Sequence, residues 1–380
     1  MKHHIINAFI ILGFIILAVT SCKKTNQQNS DKITLDSLHI IDFALQIEQS
    51  ILNGDTATYI NAFDKEYLKK KLQDNSIAFS SLDAPVGKFY FENYFIRIAT
   101  AATTAIDNSG DFHFIKYYIK DGEHHIVMRT YRDYSIVIND WIVGLVDNQI
   151  KIQDGFLYNN SSTLSNDLIY YLHYNVMEIT NPDGATPKLA KANGLLASGK
   201  EKEALKILEK NKPFLKQYPQ FWQIYIPALY ENDVKNYITN LEKLKEEGID
   251  HRCILLNKLL FYSNNGNSKA SQEIIEAMIP LTGDDPIYLF LFGKALSVEE
   301  DYKNAIICFE NLETGLPLFW DIWCEKLNCY YQLGNTEMFK KCAVTAISNF
   351  GMSESELLDF IQLHFPAMKK LDFFAKKEQI

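Results

Sequence analysis

The spacing of apolar positions changes character twice along this chain. Ala8 to Val19 is an unbroken apolar run close to the N-terminus. From Ile40 the apolar residues fall at helical intervals: Ile40, Ile41, Ala44, Leu45, Ile47, Ile51 and Leu52 share one face. Asn53-Gly54 ends that helix, and Asp55 or Thr56 is placed to cap the next. Ile60, Phe63, Tyr67, Leu68 and Leu72 continue the pattern, Pro85-Val86-Gly87 interrupts it, and Tyr90 to Ala105 reads as a further helix. At Asp111 the period drops to two. Phe112 to Ile119 and Glu123 to Arg132 are rich in aromatic and β-branched residues and flank the hairpin signal Asp121-Gly122. Ser135 to Val146 and Gln149 to Tyr158 form a second such pair around Asp147-Asn148. Helices followed by a four-strand meander predict an α+β domain over residues 33–180, its helices packed on a curved antiparallel sheet.

Asn181-Pro182-Asp183-Gly184 is a turn cluster and a domain boundary. Beyond it, residues 185–380 are predicted to be all helical and to repeat. The turns between paired helices fall at Gly199, Asn232, Gly266, Glu300 and Gly334, at intervals of 33, 34, 34 and 34 residues. The stretch from Pro286 carries Leu289, Phe292-Gly293, Leu296, Ala305, Phe309 and Pro317. Small Gly293 and Ala305 allow two helices to approach closely, Phe309 fills the space beside them, and Pro317 stops the second helix. The stretch from Trp320 keeps Trp323, Tyr330 and Gly334 but has Phe339 where a small residue is expected. The stretch from Arg252 keeps Tyr262 and Gly266, whereas those from Ala185 and Tyr218 match by spacing, with Ala204 and Leu208 fitting the first. This period and these positions resemble the tetratricopeptide repeat, a 34-residue helix–turn–helix unit that stacks into a solenoid. A last helix capped by Ser353 or Ser355 would close the stack with Leu357, Leu358, Ile361, Leu363 and Phe365. The resemblance implies protein or peptide binding on the concave face, lined by the first helix of each pair. Carried over by offset, that face would present Trp222, Tyr230, Asn264, Lys294, Asn328 and Tyr331.

The apolar run at the start has the length of a signal-peptide core and follows Lys2, His3 and His4. It falls short of the roughly 20 residues of a membrane-spanning helix. It ends Val19-Thr20-Ser21-Cys22, which resembles the lipobox of bacterial lipoproteins. That resemblance implies cleavage of residues 1–21, diacylation of Cys22 and acylation of its new amine. Residues 22–32 then form a polar tether from a bacterial envelope membrane, the outer membrane being the more frequent destination. The order of elements over Ile33 to Ser165, with the Asn53-Gly54-Asp55 break, resembles the nuclear transport factor two-like fold, whose cone holds a small ligand or an acid–base site in some members.

Composition narrows the function. The formal net charge is −9, and −10 once residues 1–21 with their single charge, Lys2, are removed. Such a surface disfavours nucleic acid, whose binding depends on neutralising phosphates with Lys and Arg. The sequence has no phosphate-cradling glycine loop, nucleophile elbow or paired zinc-ligand motif. His113, His124 and His125 lie on neighbouring strands, but the last two point to opposite faces, so at most one joins His113. Trp141 beside Asp140 is a candidate to line a cone pocket or to pack in the core. Cys253, Cys308, Cys324, Cys329 and Cys342 read as packing residues, with Cys324 and Cys342, on opposite helices of one hairpin, the pair to inspect for a disulfide. The expectation is a non-enzymatic envelope lipoprotein without cofactor or metal, acting as a protein–protein scaffold. A ligand or acid–base site in the cone and a surface nutrient-binding role are the alternatives.

Overall fold

A computed structural model describes residues 35–74, 84–107, 110–132, 135–177, 184–313, 316 and 319–366. The signal peptide, Cys22, the tether, Pro317 and residues 181–183 of the expected boundary lie outside the described residues. Within them, helices pack with a five-strand antiparallel sheet, and a long run of helices follows.

Helix α1 (Ser37–Leu52) starts at Asp36, whose carboxylate accepts the His39 backbone N–H at 3.0 Å. Gly54, at φ +75°, turns the chain, and Asp55 caps α2 (Thr56–Ala62) through the Ala57 and Thr58 N–H groups. The apolar pattern that continues from Ile60 to Leu72 is split here. Phe63 is extended, and the Asp64 N–H donates to the Ile152 carbonyl at 2.8 Å instead of continuing the helix. Asp64 then accepts from the Tyr67 N–H and opens α3 (Lys65–Asp74). Helix α4 (Pro85–Asp107) begins at Pro85 itself, since a first-turn proline has no intrahelical N–H to lose.

The strands β1 (Asp111–Lys120), β2 (Glu123–Arg132), β3 (Ser135–Val146) and β4 (Gln149–Leu157) pair in sequence order. Both two-residue turns have the left-handed backbone a type I′ turn requires: Asp121-Gly122 at φ +53° and +83°, Asp147-Asn148 at +47° and +62°. Register shifts at Phe114/Lys116 and Ile142/Val143 bend the strands. Two elements were not anticipated. A short β5 (Ser162–Thr163) pairs with β4, and Thr163 caps α5 (Leu164–Leu172) by accepting the Asn166 N–H at 3.2 Å.

The sheet is buried on both faces. Phe112, Ile126, Met128, Trp141, Val143 and Ile152 pack against α1–α5. Val127, Tyr131, Ile136 and Ile138 face the other way, into the core of the helical run. That run pairs α6 (Ala185–Ala197) with α7 (Glu201–Leu215), α8 (Pro219–Asn232) with α9 (Tyr237–Lys243), α10 (His251–Asn264) with α11 (Ser268–Thr282), α12 (Pro286–Val298) with α13 (Tyr302–Glu313), and α14 (Trp320–Gln332) with α15 (Thr336–Phe350). Helix α16 (Glu354–His364) ends it, capped by Ser353 and Glu356 in a reciprocal capping box. Leu357, Ile361 and Phe365 are buried as expected, while Leu358 and Leu363 point outward.

The repeat is written in the backbone. Gly199, Gly266, Glu300 and Gly334 all sit at φ between +64° and +67°. Asn232 departs from them. The chain leaves α8 through an extended Asp233 and a 3₁₀ turn at Val234–Asn236, so the second helix of that pair is short. Gly293 meets its role: a Cβ there would lie 2.8 Å from the Phe309 ring and 2.9 Å from Cys308 Cβ. The helices from α10 onward are consistent with a helical repeat region.

Arg129 joins the two parts. It is fully buried on β2 and donates from Nε to Asp285 at 2.6 Å and from a terminal nitrogen to Asp111 at 2.7 Å. Asp285, itself buried, caps α12 by accepting the Ile287 N–H. Burial works against the guanidinium charge, and the two carboxylates more than offset it, holding Arg129 above its ordinary pKa. Replacing Arg129 by Met leaves both carboxylates without their cation and is expected to cost roughly 3–5 kcal/mol. Equilibrium denaturation followed by circular dichroism measures this, and a loss under about 1 kcal/mol would refute the role given to Arg129. A chain ending before Ala185 would expose Val127, Tyr131, Ile136 and Ile138 together, and it is expected to aggregate rather than remain a soluble monomer.

Candidate functional site

Three regions offer the residue types that chemistry or recognition needs: the interior beneath the sheet, the seam between sheet and helical run, and the first helices of the run.

The interior is filled by aromatic rings. Phe63 lies 5.3 Å from Tyr59, 5.2 Å from Phe95 and 5.7 Å from Trp141, centroid to centroid, and Tyr59 lies 5.6 Å from Phe112. Trp141 is buried among them and serves as core. Polar groups lie at the margin of this core. The buried Asp154 accepts from Lys71 Nζ at 2.8 Å and from the Ser165 hydroxyl and N–H at 2.8 and 3.0 Å. Asp167 accepts from the Tyr94 hydroxyl at 2.8 Å and Asn160 at 2.9 Å, and burial holds its pKa above the usual carboxylate value. Each of these carboxylates already receives donors from the protein, as a structural network does.

The seam runs along the N-terminal ends of the first helices. Besides Arg129–Asp285, the Tyr131 hydroxyl donates to Asp321 on α14 at 2.5 Å, and Lys116 reaches the Pro280 carbonyl at 2.9 Å. Gln223 on α8 donates to Asn160 at 2.5 Å, and the Asp250 N–H, just before α10, donates to Ser161 at 2.6 Å. Arg252 lies 3.4 Å above the Phe156 ring and 3.7 Å from Asp140. Asp140 also accepts from Tyr118 at 2.5 Å and lies 3.0 Å from His125 Nδ1. Sequence reasoning missed this seam. The available signal was that Ile126-Val127-Met128 is apolar on consecutive residues, so β2 had to be covered on both faces.

The three histidines do not converge. His113 stands opposite Arg129 in the β1–β2 register, whereas His124 and His125 stand opposite Ile119 and Tyr118 at the hairpin end. His113 Nδ1 is 3.5 Å from Glu48, His124 Nδ1 is 2.8 Å from the Tyr117 hydroxyl, and His125 stacks on Tyr118. Among the described residues, no group of three or more His, Cys, Asp or Glu is arranged to hold a metal ion.

On the first helices, the six expected partner residues range from buried to exposed. Trp222 is buried and donates its indole N–H to the Lys216 carbonyl at 2.9 Å. Tyr230 packs on Tyr237 and Phe261, and Tyr331 lies 5.4 Å from Phe365. Asn264 is exposed, and Lys294 and Asn328, one repeat apart on α12 and α14, are half-buried like Tyr230 and Tyr331. Burial lowers the Lys294 pKa, against the pull of Glu325 and Asp321. Cys253, Cys308, Cys329 and Cys342 are buried and Cys324 is partly so, all as free thiols. Burial pushes the thiols of Cys253, Cys308 and Cys342 up to about 12.

No protein-family model, curated protein or solved structure matches this chain.

His113 gives this region a pH signature. Burial lowers its pKa, but the Glu48 hydrogen bond and charge outweigh that, and the net shift is upward from 6.5. A raised folded pKa means the contribution is fully present below the ordinary imidazole value and is lost as pH rises through the higher one. The stability gap between the wild-type chain and H113Q is therefore expected to narrow between about pH 6 and pH 8. Thermal melts across that range measure it, and a gap that widens with pH contradicts the pairing with Glu48.

Proposed function

We propose that this chain is a bacterial envelope lipoprotein, anchored through Cys22, that works without catalysis as a protein–protein scaffold. On this reading the helical run is tetratricopeptide-like and the α+β region belongs with the nuclear transport factor two-like folds. The reading is carried by one observation: left-handed turn residues at Gly266, Glu300 and Gly334, one 34-residue period apart, set α10, α12 and α14 in equivalent places. Equivalent helices offer a partner a regular series of side chains. Lys294 and Asn328, each six residues before its turn, occupy one position of that series, and Asn264 stands two residues before its own turn. Trp222, Tyr230 and Tyr331 support it from within. The partner is a protein or peptide whose backbone amides pair with the asparagines. The aromatic filling beneath the sheet weighs against a ligand in the cone.

The test uses the full chain, because α10–α16 and the sheet share one core. In-cell crosslinking with mass spectrometry should recover a specific partner from the wild-type chain and lose most of it from an N264A/K294M/N328A variant whose circular dichroism matches the wild-type chain. Equal recovery from both would remove the first helices as the partner surface. The anchor is tested separately: the intact mass of the mature chain should correspond to an acylated Cys22, and C22S should leave the membrane fraction. An unmodified N-terminus would end the lipoprotein reading without touching the scaffold one.

A further inference from the structure

Two helices of the α+β region carry exposed apolar rows, and their charges differ. On α4, Phe89 is 62% exposed, Val86 56% and Ile96 46%. At about 100° per residue, Phe89 and Ile96 lie nearly in line, with Val86 about 60° to one side. A lone exposed apolar residue is ordinary, but a contiguous row on a monomer surface marks an interaction face. Lys88 and Arg97 stand exposed on either side of this row. Helix α3 lies alongside, bringing Lys65 and Lys69 over the rings of Phe95 and Phe91 at 5.3 and 5.4 Å. Of the nearby acids, Glu92 pairs with Lys65 at 2.5 Å, Glu66 with Lys69 at 2.7 Å and Asp154 with Lys71 at 2.8 Å, while exposed Asp74 stands one helical turn from Lys70 on α3. Exposed Lys88 and Arg97, the latter 5.0 Å over the Tyr171 ring, leave this face basic in a chain whose net charge is −9. The other row, Leu38, Leu45 and Leu52 on α1, lies on a helix with Asp42 and Glu48 and no Lys or Arg.

We infer that the N-terminal half of α4 docks on an anionic lipid surface, with Val86, Phe89 and Ile96 entering the headgroup layer and Lys88 and Arg97 contacting lipid phosphates. Apolar side chains rimmed by basic ones are what an interfacial helix needs. Each basic residue near such a surface adds roughly fivefold to binding, from about 1 kcal/mol apiece. The anionic surface distinguishes this face from the α1 row, which has apolar area but the wrong charge. The inference rests on the lipoprotein reading only for bringing the chain to the membrane; the chemistry of the face is independent of it.

The test places the full chain on vesicles containing brominated lipids, either zwitterionic alone or with about a third phosphatidylglycerol, enough charge to draw basic residues to the surface. Tryptophan emission of F89W is compared with that of the wild-type chain, which has four tryptophans, and with I307W as a control on exposed α13. Excess quenching is expected for F89W on the anionic vesicles. It should be small on the zwitterionic ones and largely lost in F89W/K88E/R97E. Quenching of F89W no greater than that of I307W would overturn the proposal, as would equal quenching on both kinds of vesicle. Emission that shifts only when envelope proteins are added, with no lipid quenching, would give the face to a protein partner and likewise overturn it. The mass at Cys22 reports separately on the anchor. A chain without acylation is added to the same vesicles from solution, so failure of the lipid face and failure of the lipoprotein reading give different results.

Discussion

The buried charge on Arg129 constrains the rest of the molecule. A guanidinium with no exposed surface survives only where carboxylates and donor geometry offset the loss of water. Here the two carboxylates come from different places: Asp111 from the neighbouring strand, Asp285 from the N-cap of α12, 156 residues along the chain. The pairing forms only when β2 and the helical run meet in one register. Asp285 is fixed in turn because it caps its own helix. A point of high energetic cost thus selects one arrangement of two regions whose apolar surfaces alone would tolerate sliding.

That constraint changes what a repeat run can do. A free-standing solenoid has every edge open to partners. In this chain the N-terminal parts of α8 and α10 are taken up by the turn between β4 and β5, through Gln223 and Asp250, and those of α12 and α14 by the sheet, through Asp285 and Asp321. The seam resembles a protein–protein interface in its parts, with an apolar centre of Val127, Tyr131, Ile136 and Ile138 and polar pairs around it. The further ends of the first helices, where Asn264, Lys294 and Asn328 lie, stand outside these seam bonds. The sheet thus functions as a built-in brace for the helices, and its other face closes on aromatic rings.

Local structure was legible in the sequence wherever a backbone requirement singles out a residue type. Asp121-Gly122 and Asp147-Asn148 declared their hairpins because few residues accept φ above zero at both turn positions. Gly266 and Gly334 marked repeat turns for the same reason, and Glu300 was found from spacing although its side chain disfavours that backbone. The break at Phe63–Asp64 was not legible, because the partner that captures the Asp64 N–H is Ile152, far along the chain. Helix α5 was missed because it is only nine residues long and its polar residues, Ser165, Asn166 and Asp167, fall consecutively rather than at helical intervals. For the candidate site, offset within the repeat placed Asn264, Lys294 and Asn328 at the surface. It could not separate them from Trp222, because whether a position on a first helix is free depends on what packs over it.

The same reasoning explains why charge carries more information than apolarity on this surface. The rows on α1 and α4 look alike in a hydrophobic pattern, since both place bulky residues at helical spacing outside the core. They differ in what stands beside them. Along the first half of α4 the one acid, Glu92, is tied to Lys65 of α3, so Lys88 and Arg97 add without cancellation. A surface with negative charge overall keeps such a patch from attracting arbitrary polyanions at long range, because the field at a distance follows the net charge. Within a Debye length, about 8 Å at physiological salt, only the nearby charges act. A basic apolar patch on an acidic protein is therefore selective for anionic surfaces that come close, which is the condition of a chain held at a membrane.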